Sequence, residues 1–193
     1  MKARLSLLGY ALLGLLHQRP RSGYALRRVF ATTPMGTFSD SPGAIYPALG
    51  RMERQGLVRG RVESSAGLRQ KQTFRLTPPG LAALEEWLAR PLTRADVVRG
   101  LDDVMLRLAF MDEVMAPAAS IRLLQSLARE LAAYLPTLHA YLGAHRRQMP
   151  LSGRLALESG IRAYEDQSRW VRDALKAYGA ARAKKGKGRE VSS

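Results

Sequence analysis

The sequence predicts a mainly α-helical protein that contains one short β-hairpin and divides into two domains. Over most of the chain, apolar residues recur every three or four positions, which is typical of amphipathic helices. Residues 57–63 and 68–76 are instead β-compatible runs, joined by a Ser-Ser-Ala-Gly turn at 64–67. The segment Arg90-Pro91-Leu92-Thr93 interrupts the helical pattern and indicates a boundary. We therefore expect one domain over residues 1–90, a helical domain over 91–180, and a basic, disordered tail over 181–193.

The first ninety residues contain three predicted helices before the hairpin. Leucines at helical spacing between residues 5 and 16 predict a buried first helix. Ser22 is suited to cap a second helix, which the Pro34-Met35-Gly36 segment ends. A third helix is expected to start at Ser41-Pro42 and to stop at Gly56. After Thr77, Pro78 begins a fourth helix, and its Trp87 is expected to cover a seam between the domains.

The third helix has one local conflict with helix propensity. Its apolar stripe at residues 45, 49 and 52 predicts a helix with one buried face. Pro47 lies within this segment, where a proline removes one backbone hydrogen bond and crowds the preceding turn. We therefore expect an irregular first turn.

Four motifs in this order resemble a known family. They are GYAL at residues 23–26, SPGAIYPALGRMERQGLV at 41–58, an ES at 63–64, and FRLTPPGLAAL at 74–84. Together they resemble the PadR family of bacterial winged-helix transcriptional regulators, and residues 155–175 resemble the long helical C-terminal domain of its larger subfamily. The resemblance implies a winged helix-turn-helix domain with the hairpin as its two-stranded wing, followed by a helical dimerisation domain. It also implies a repressor that binds a palindromic DNA operator as a homodimer and is released by a small-molecule inducer or another signal.

Candidate DNA-binding residues come from the third helix, the wing and the GYAL motif. A recognition helix presents its N-terminal half to base edges, and phosphates are bound by cations, hydroxyls and backbone N–H groups. These roles favour Ser41, Gly43, Tyr46 and Arg51. Arg69 and Lys71 on the wing are expected to bind phosphates, and the resemblance places Tyr24 near the DNA backbone. Core packing is the alternative for Tyr24 and Tyr46, and an ordinary solvated charge is the alternative for Arg51.

Two long helical repeats after residue 115 predict packing seams. Their apolar surface exceeds what one antiparallel helix pair needs to bury, so we expect part of it to join two copies of the chain. The residues expected at this dimer interface are Leu131, Leu138, Leu142, Ile161, Val171 and Leu175. The alternative is that all of these faces pack within one chain.

Charge and composition indicate a polyanion as partner and give little support to catalysis. The formal net charge is +15, and residues 1–90 hold 14 basic against 5 acidic residues. Arginine-rich usage that follows genome base composition is an alternative cause of this excess. The chain has no cysteine and three separated histidines, so we predict no enzyme activity, no metal site and no cofactor. We expect a cytoplasmic protein with no membrane segment. The alternative function is a basic protein that binds DNA without sequence preference, of the nucleoid type, or that binds RNA.

Overall fold

The computed structural model describes residues 4–38, 42–63 and 71–190, without the side chains of residues 42, 63, 71 and 182–190. The chain forms two compact units. Unit 1 consists of Met1–Arg90 and Asp102–Ala116, and unit 2 consists of Pro91–Leu101 and Pro117–Ser193. Among the described residues, no helix is both long enough and apolar enough to cross a membrane.

Unit 1 contains five helices and a small sheet in the part of the chain that the structure describes. The elements are α1 (Leu7–Gln18), β1 (Arg21–Ser22), α2 (Gly23–Thr32), α3 (Ile45–Arg54), β2 (Val58–Glu63), β3 (Lys71–Leu76), α4 (Pro78–Ala89) and, after an excursion into unit 2, α6 (Asp102–Val114). The three strands are antiparallel, and β3 lies between β1 and β2. Three helices followed by a two-stranded wing confirm the predicted winged helix-turn-helix.

α1 is the central helix of unit 1. Ser6 caps it by accepting a hydrogen bond from the Gly9 N–H at 3.3 Å, and residues 8–16 are all buried. Such a helix is apolar on every side because α3, α4, α6 and β3 surround it. The predicted buried first helix is confirmed.

The predicted caps of α2 and α4 are also present. Ser22 accepts a hydrogen bond from the Ala25 N–H at 3.2 Å. Thr77 accepts one from the Gly80 N–H at 3.1 Å, directly before Pro78 at the first helical position. The two caps thus fix the start of the helix that precedes α3 and the start of the helix that follows the hairpin.

The sheet differs from the predicted hairpin by one short strand. In β1, Arg21 pairs with Phe74 and Ser22 with Thr73, on the edge of β3 opposite to β2. A strand of two residues has no periodicity that sequence analysis could detect. Its effect is to fix the start of α2 against the base of the hairpin.

α6 belongs to unit 1, whereas the sequence division at residue 90 assigned its residues to the second domain. The cause is a close contact that sequence spacing does not reveal. A Cβ added at Gly14 of α1 would lie 2.6 Å from the Phe110 ring of α6, so only glycine leaves room for this ring. The buried Arg107 also donates hydrogen bonds to the carbonyls of Leu88 and Arg90 at the end of α4.

Trp87 lies in the interior of unit 1 and not at the predicted seam between domains. It is 3% exposed and stacks on Tyr10 with ring centroids 4.3 Å apart. Its indole N–H donates to Asp103 Oδ1 at 3.0 Å, and Arg90 contacts the other carboxylate oxygen at 2.8 Å. Burial raises the pKa of the Tyr10 phenol, which keeps that ring neutral.

Unit 2 is built around two long helices. They are α7 (Pro117–His145) and α8 (Leu151–Glu190), with the short α5 (Arg94–Val98) packed on α7. Tyr164 of α8 meets Tyr134 of α7 edge to face at 5.2 Å and donates its hydroxyl to the Val97 carbonyl of α5 at 3.3 Å. Burial raises the pKa of Tyr164, so the hydroxyl keeps the proton that this hydrogen bond needs.

Three of the six residues predicted at the dimer interface are buried within one chain. Leu131, Ile161 and Val171 are at most 4% exposed, because α7 and α8 pack their apolar stripes against each other. Leu138, Leu142 and Leu175 are half-buried. The seam residues with the deepest burial therefore stabilise the α7–α8 pair within the chain.

The backbone of α8 continues through Glu190, whereas the sequence predicted a disordered tail from residue 181. Alanine, lysine and arginine dominate residues 180–189, and all three are strong helix formers. The helix thus extends where composition alone indicated disorder. Residues 191–193 lie outside the described residues.

Candidate nucleic-acid interface

α3 is the helix of unit 1 that carries most of the predicted site residues. The chain enters it through a 3₁₀ turn, Pro42–Ala44, and α-helical geometry begins at Ile45. Pro47 therefore occupies the third helical position, where the backbone N–H has no intrahelical acceptor to lose. The α-helix thus begins later than the predicted start at Ser41-Pro42, and the predicted irregular first turn is the 3₁₀ turn. The proline is accommodated without breaking the helix.

The end of α3 is fixed by Gly56. Its φ of 72° lies in the left-handed region, as predicted. The Gly56 N–H donates to the Glu53 carbonyl and the Leu57 N–H donates to the Met52 carbonyl, both at 2.9 Å. This pair of hydrogen bonds closes the helix and turns the chain directly into β2.

The exposed surface of α3 has a centre and two flanks. Four residues form its buried stripe: Ile45, Ala48, Leu49 and Met52. At 3.6 residues per turn, the side opposite to this stripe carries Pro47, Gly50 and Arg54. Tyr46 lies on one flank and Arg51 on the other. Arg54 was not among the predicted site residues, although the predicted stripe and the helical spacing already place it opposite to the buried side.

Tyr46 is held in position by a glycine of α2. The tyrosine is 51% exposed, which excludes the core alternative, and Tyr24 at the second position of α2 is 68% exposed. A Cβ added at Gly23 would lie 2.5 Å from Cε1 of the Tyr46 ring. The ring therefore rests directly on the backbone at the start of α2. Both tyrosines of the predicted site are surface groups.

The hairpin presents three arginines on one face. The register pairs Arg59 of β2 with Arg75 of β3 and Arg61 with Thr73, and cross-strand partners share a face. All three arginines are exposed. Like charges directly opposite each other destabilise a strand pair, so the Arg59–Arg75 arrangement favours a polyanionic partner that would neutralise both. Period-two alternation in residues 58–63 was the signal that could have singled out Arg59 and Arg61.

A hydrogen bond ties the hairpin to α3. Glu53 Oε1 accepts from the Gly60 N–H at 2.7 Å. An added Cβ at Gly60 would overlap the Gln72 side chain and lie 2.8 Å from this carboxylate oxygen, so the glycine permits the approach. The wing and the candidate recognition helix are thus positioned as one piece.

Some predicted residues cannot be placed as contacts. Ser41 and Arg69 lie outside the described residues, and so does the side chain of Lys71, whose backbone pairs with Glu63 in the sheet. Gly43 lies in the 3₁₀ turn before α3 and is exposed. The structure therefore places Gly43 in the turn before α3, and Tyr46 and Arg51 on opposite flanks of α3.

The exposed cations of this surface lack acidic partners within the described ranges 4–38, 42–63 and 71–190. None of seven exposed arginines forms an ion pair or a hydrogen bond with another described side chain or backbone group: Arg27, Arg28, Arg51, Arg54, Arg59, Arg61 and Arg75. Guanidinium groups without acidic neighbours remain available for the oxygens of phosphates and bases. The arrangement can bind a nucleic-acid backbone and can place side chains in a groove.

Two family patterns match this chain. The pattern of the transcriptional regulator PadR-like family matches residues 12–86, which comprise most of α1 through α4. A pattern described as the C-terminal part of virulence activator alpha matches residues 102–178. The two matches together cover α6, α7 and most of α8 as well as the winged helix-turn-helix.

Named relatives are similar over different lengths. The negative transcriptional regulator PadR of Bacillus subtilis is 29% identical over 113 residues, which cover 58% of this chain and 61% of that protein, less than two thirds of its length. A probable transcriptional regulator of Mycobacterium tuberculosis is 28% identical over 188 residues, covering 88% of this chain and 96% of that protein. The crystal structure of Bacillus subtilis PadR in complex with operator DNA is 23% identical, with 89% of this chain and 99% of that chain covered and a TM-score of 0.44. The chain thus carries a domain of the transcriptional regulator PadR-like family at residues 12–86.

Proposed function

We propose that the protein is a transcriptional repressor that binds a specific double-stranded DNA operator as a homodimer. The observation that carries this proposal is the surface of α3, where Tyr46 and Arg54 are exposed beside an arginine face on the adjoining hairpin. The name of the Bacillus relative, a negative regulator, supports repression over activation.

α3 is suited to read bases in the major groove. The groove admits one α-helix, and bidentate arginine contacts to guanine are its commonest specific hydrogen bonds. Arg54 lies opposite the buried stripe of α3 and has no acidic partner among the described residues. Pro47 and Gly50 lie beside it and have small side chains or none, so the helix backbone can approach the base edges closely.

The hairpin is suited to bind the phosphate backbone. Arg59, Arg61 and Arg75 share one face, and the Glu53–Gly60 hydrogen bond fixes that face relative to α3. Phosphate contacts supply affinity and salt dependence but carry no sequence information. We assign base reading to α3 and backbone binding to the wing.

The homodimer is proposed from the surface that unit 2 leaves exposed. Four large apolar side chains of α7 and α8 are between 40% and 62% exposed: Tyr141, Leu151, Leu155 and Trp170. One recognition helix reads few bases, and two copies related by a two-fold axis read half-sites about 10 bp apart or a multiple of it. A second copy of the chain is therefore the proposed occupant of this surface.

Replacing Arg54 or Tyr46 with alanine should lower the preference for the operator over scrambled DNA. If each side chain makes one base contact worth about 1–3 kcal/mol, the preference should fall roughly 5-fold to 150-fold per half-site. Arg75→Ala should weaken binding to both duplexes alike and lower the salt slope by about one per half-site. Fluorescence anisotropy titrations at several salt concentrations measure both quantities. An unchanged preference in Arg54→Ala and Tyr46→Ala would remove base reading from α3 and favour a basic protein that binds DNA without sequence preference.

Gly23→Ala should weaken operator binding through Tyr46 while leaving the fold intact. The new Cβ would displace the tyrosine ring, which is half exposed and can move outward. The expected loss is about that of one base contact, roughly 1–3 kcal/mol of operator binding per half-site. Urea unfolding should change by less than about 1 kcal/mol, because alanine is the better helix residue.

The double variant Gly23→Ala, Tyr46→Ala is the control for this prediction. With the ring removed, the added methyl group should have no further effect on operator affinity. If the double variant instead lost as much operator affinity as the two single variants added together, Gly23→Ala would not act through Tyr46.

A further inference from the structure

A cleft of about 180 Å³ lies in unit 1 between residues 4–9 and one flank of α3. Arg4 lines it from the chain segment before α1, and Arg51 lines it from α3. Its volume is several times the roughly 30 Å³ that one water molecule occupies in the liquid, so a phosphate group can enter. No carboxylate lines the cleft among the described residues. Two cations therefore adjoin one space that no carboxylate of the described residues lines.

Arg51 lies apart from the other candidate base-reading residues. It follows Tyr46 by five positions, which at 3.6 residues per turn places it on the opposite flank of the helix. That flank faces the cleft, and the guanidinium has no hydrogen bond or ion pair within the described part of the chain. A cleft that Arg51 shares with a second cation is suited to a phosphate, so the position of Arg51 matches a backbone contact better than a base contact.

Arg4 forms a weak ion pair, which a different anion can replace. Its guanidinium lies 3.4 Å from Asp103 Oδ1, and its side chain is 60% exposed. Asp103 already accepts hydrogen bonds from Trp87 at 3.0 Å and from Arg90 at 2.8 Å, and is itself only 15% exposed. Losing Arg4 would leave this carboxylate paired. An ion pair of this length with an exposed arginine contributes little to stability, so a phosphate can replace Asp103 as the partner of Arg4.

We propose that this cleft binds one phosphate of the DNA backbone, with Arg4 and Arg51 as its ligands. The inference rests on the proposed DNA binding of unit 1 and assigns Arg51 to the backbone. The bound phosphate would lie on the flank of α3 opposite to Tyr46.

Arg4→Ala and Arg51→Ala should each lower the slope of log affinity against log salt concentration by about 0.9 per half-site, the value for one phosphate contact. Both should bind operator and scrambled DNA more weakly by the same factor. Arg51→Lys should retain the wild-type slope because a point charge suffices for a phosphate. Arg122→Ala, which removes an exposed cation of α7, is the control for net charge and should change neither quantity. Circular dichroism of each variant verifies that it is folded.

Neutral methylphosphonates introduced one at a time into the operator then locate the phosphate. At one position per half-site the substitution should weaken the wild type and leave Arg4→Ala and Arg51→Ala unaffected. The proposal would be overturned if, at every position, the methylphosphonate weakened binding of the wild type, Arg4→Ala and Arg51→Ala by the same factor. A loss of sequence preference in Arg51→Ala with an unchanged salt slope would also overturn it, and would return Arg51 to the base-reading group.

Inorganic phosphate distinguishes a free anion from the DNA backbone as the ligand. In the absence of DNA, millimolar phosphate should raise the Tm no more than chloride of equal ionic strength. A rise in Tm that Arg4→Ala abolishes, together with unchanged salt slopes for DNA, would assign the cleft to a free phosphate compound and overturn the proposal. Failure of the wild type to bind any DNA would instead contradict the proposed function itself, so the two failures can be told apart.

Discussion

Replacing Val171 with aspartate is expected to unfold unit 2. Val171 is fully buried on the face of α8 that packs against α7, so the new carboxylate would lie in an apolar seam with no partner. Burying an unpaired charge is among the few changes that cost more than about 4 kcal/mol. Urea unfolding gives the loss of stability. Hydrogen exchange of peptides from α7 and α8 locates it, because amides of unit 1 should stay protected.

Leu155→Asp is the matched control and also tests the dimer. Leu155 lies on the same helix and is 53% exposed, so the charge should change the stability of the monomer by no more than about 0.5 kcal/mol. If Leu155 contacts a second copy, light scattering should show the variant as a folded monomer at concentrations where the wild type is a dimer. A folded Val171→Asp variant would contradict the α7–α8 packing. A wild type that is monomeric at micromolar concentration would contradict the proposed homodimer.

The second large effect is expected for Gly80→Ala in unit 1. The added methyl group would overlap the carbonyl oxygen of Leu57 and lie 2.9 Å from the Leu76 side chain. One of these atoms belongs to the backbone at the base of the hairpin and cannot swing aside, so the start of α4 must move. We expect a loss of about 3 kcal/mol in the free energy of unfolding, at the upper end of what overpacking costs.

Gly143→Ala on α7 is the control for this effect. Nothing lies within 4 Å of the added Cβ there, and the glycine is inside a helix. This variant should gain roughly 0.5–1 kcal/mol, the ordinary difference between the two residues in a helix. Equal stability changes at the two positions would show that α4 does not press on the hairpin as described.

Local signals predicted most of unit 1. A capping hydroxyl at Ser22, a proline directly after Thr77 and a left-handed glycine at Gly56 each act within one helical turn, so each is visible in the sequence. The place of α6 was not visible, because it depends on Gly14 and Phe110, which are 96 positions apart. A contact between residues so far apart in the sequence produces no periodic pattern that sequence analysis could detect.

The candidate site was predicted less completely than the fold. The sequence grouped Arg51 with Tyr46 and left Arg54 out. At 3.6 residues per turn, however, the predicted stripe at residues 45, 49 and 52 already separates Tyr46 from Arg51 and places Arg54 between them on the opposite side. Arg59 and Arg75 became a candidate pair only through the strand register.

Heptad-like spacing could not tell a seam within the chain from a seam between chains. The apolar side chains at Leu131, Ile161 and Val171 have the spacing that a dimer interface would also show. In this structure they are buried where α7 packs against α8 within the chain. The exposed residues Leu151, Leu155 and Trp170 lie off that stripe, and the periodic pattern did not select them.

The most direct test of the account is selection of bound duplexes from a pool with a randomised 30-bp segment, using the full-length wild type. We expect enrichment of one two-fold symmetric motif with half-sites about one helical turn apart or a multiple of it. The enriched duplex should bind at least about 1,000-fold more tightly than scrambled DNA at physiological salt. A pool that stays random after repeated rounds, with tight binding to every duplex at low salt, would contradict sequence-specific recognition by this protein.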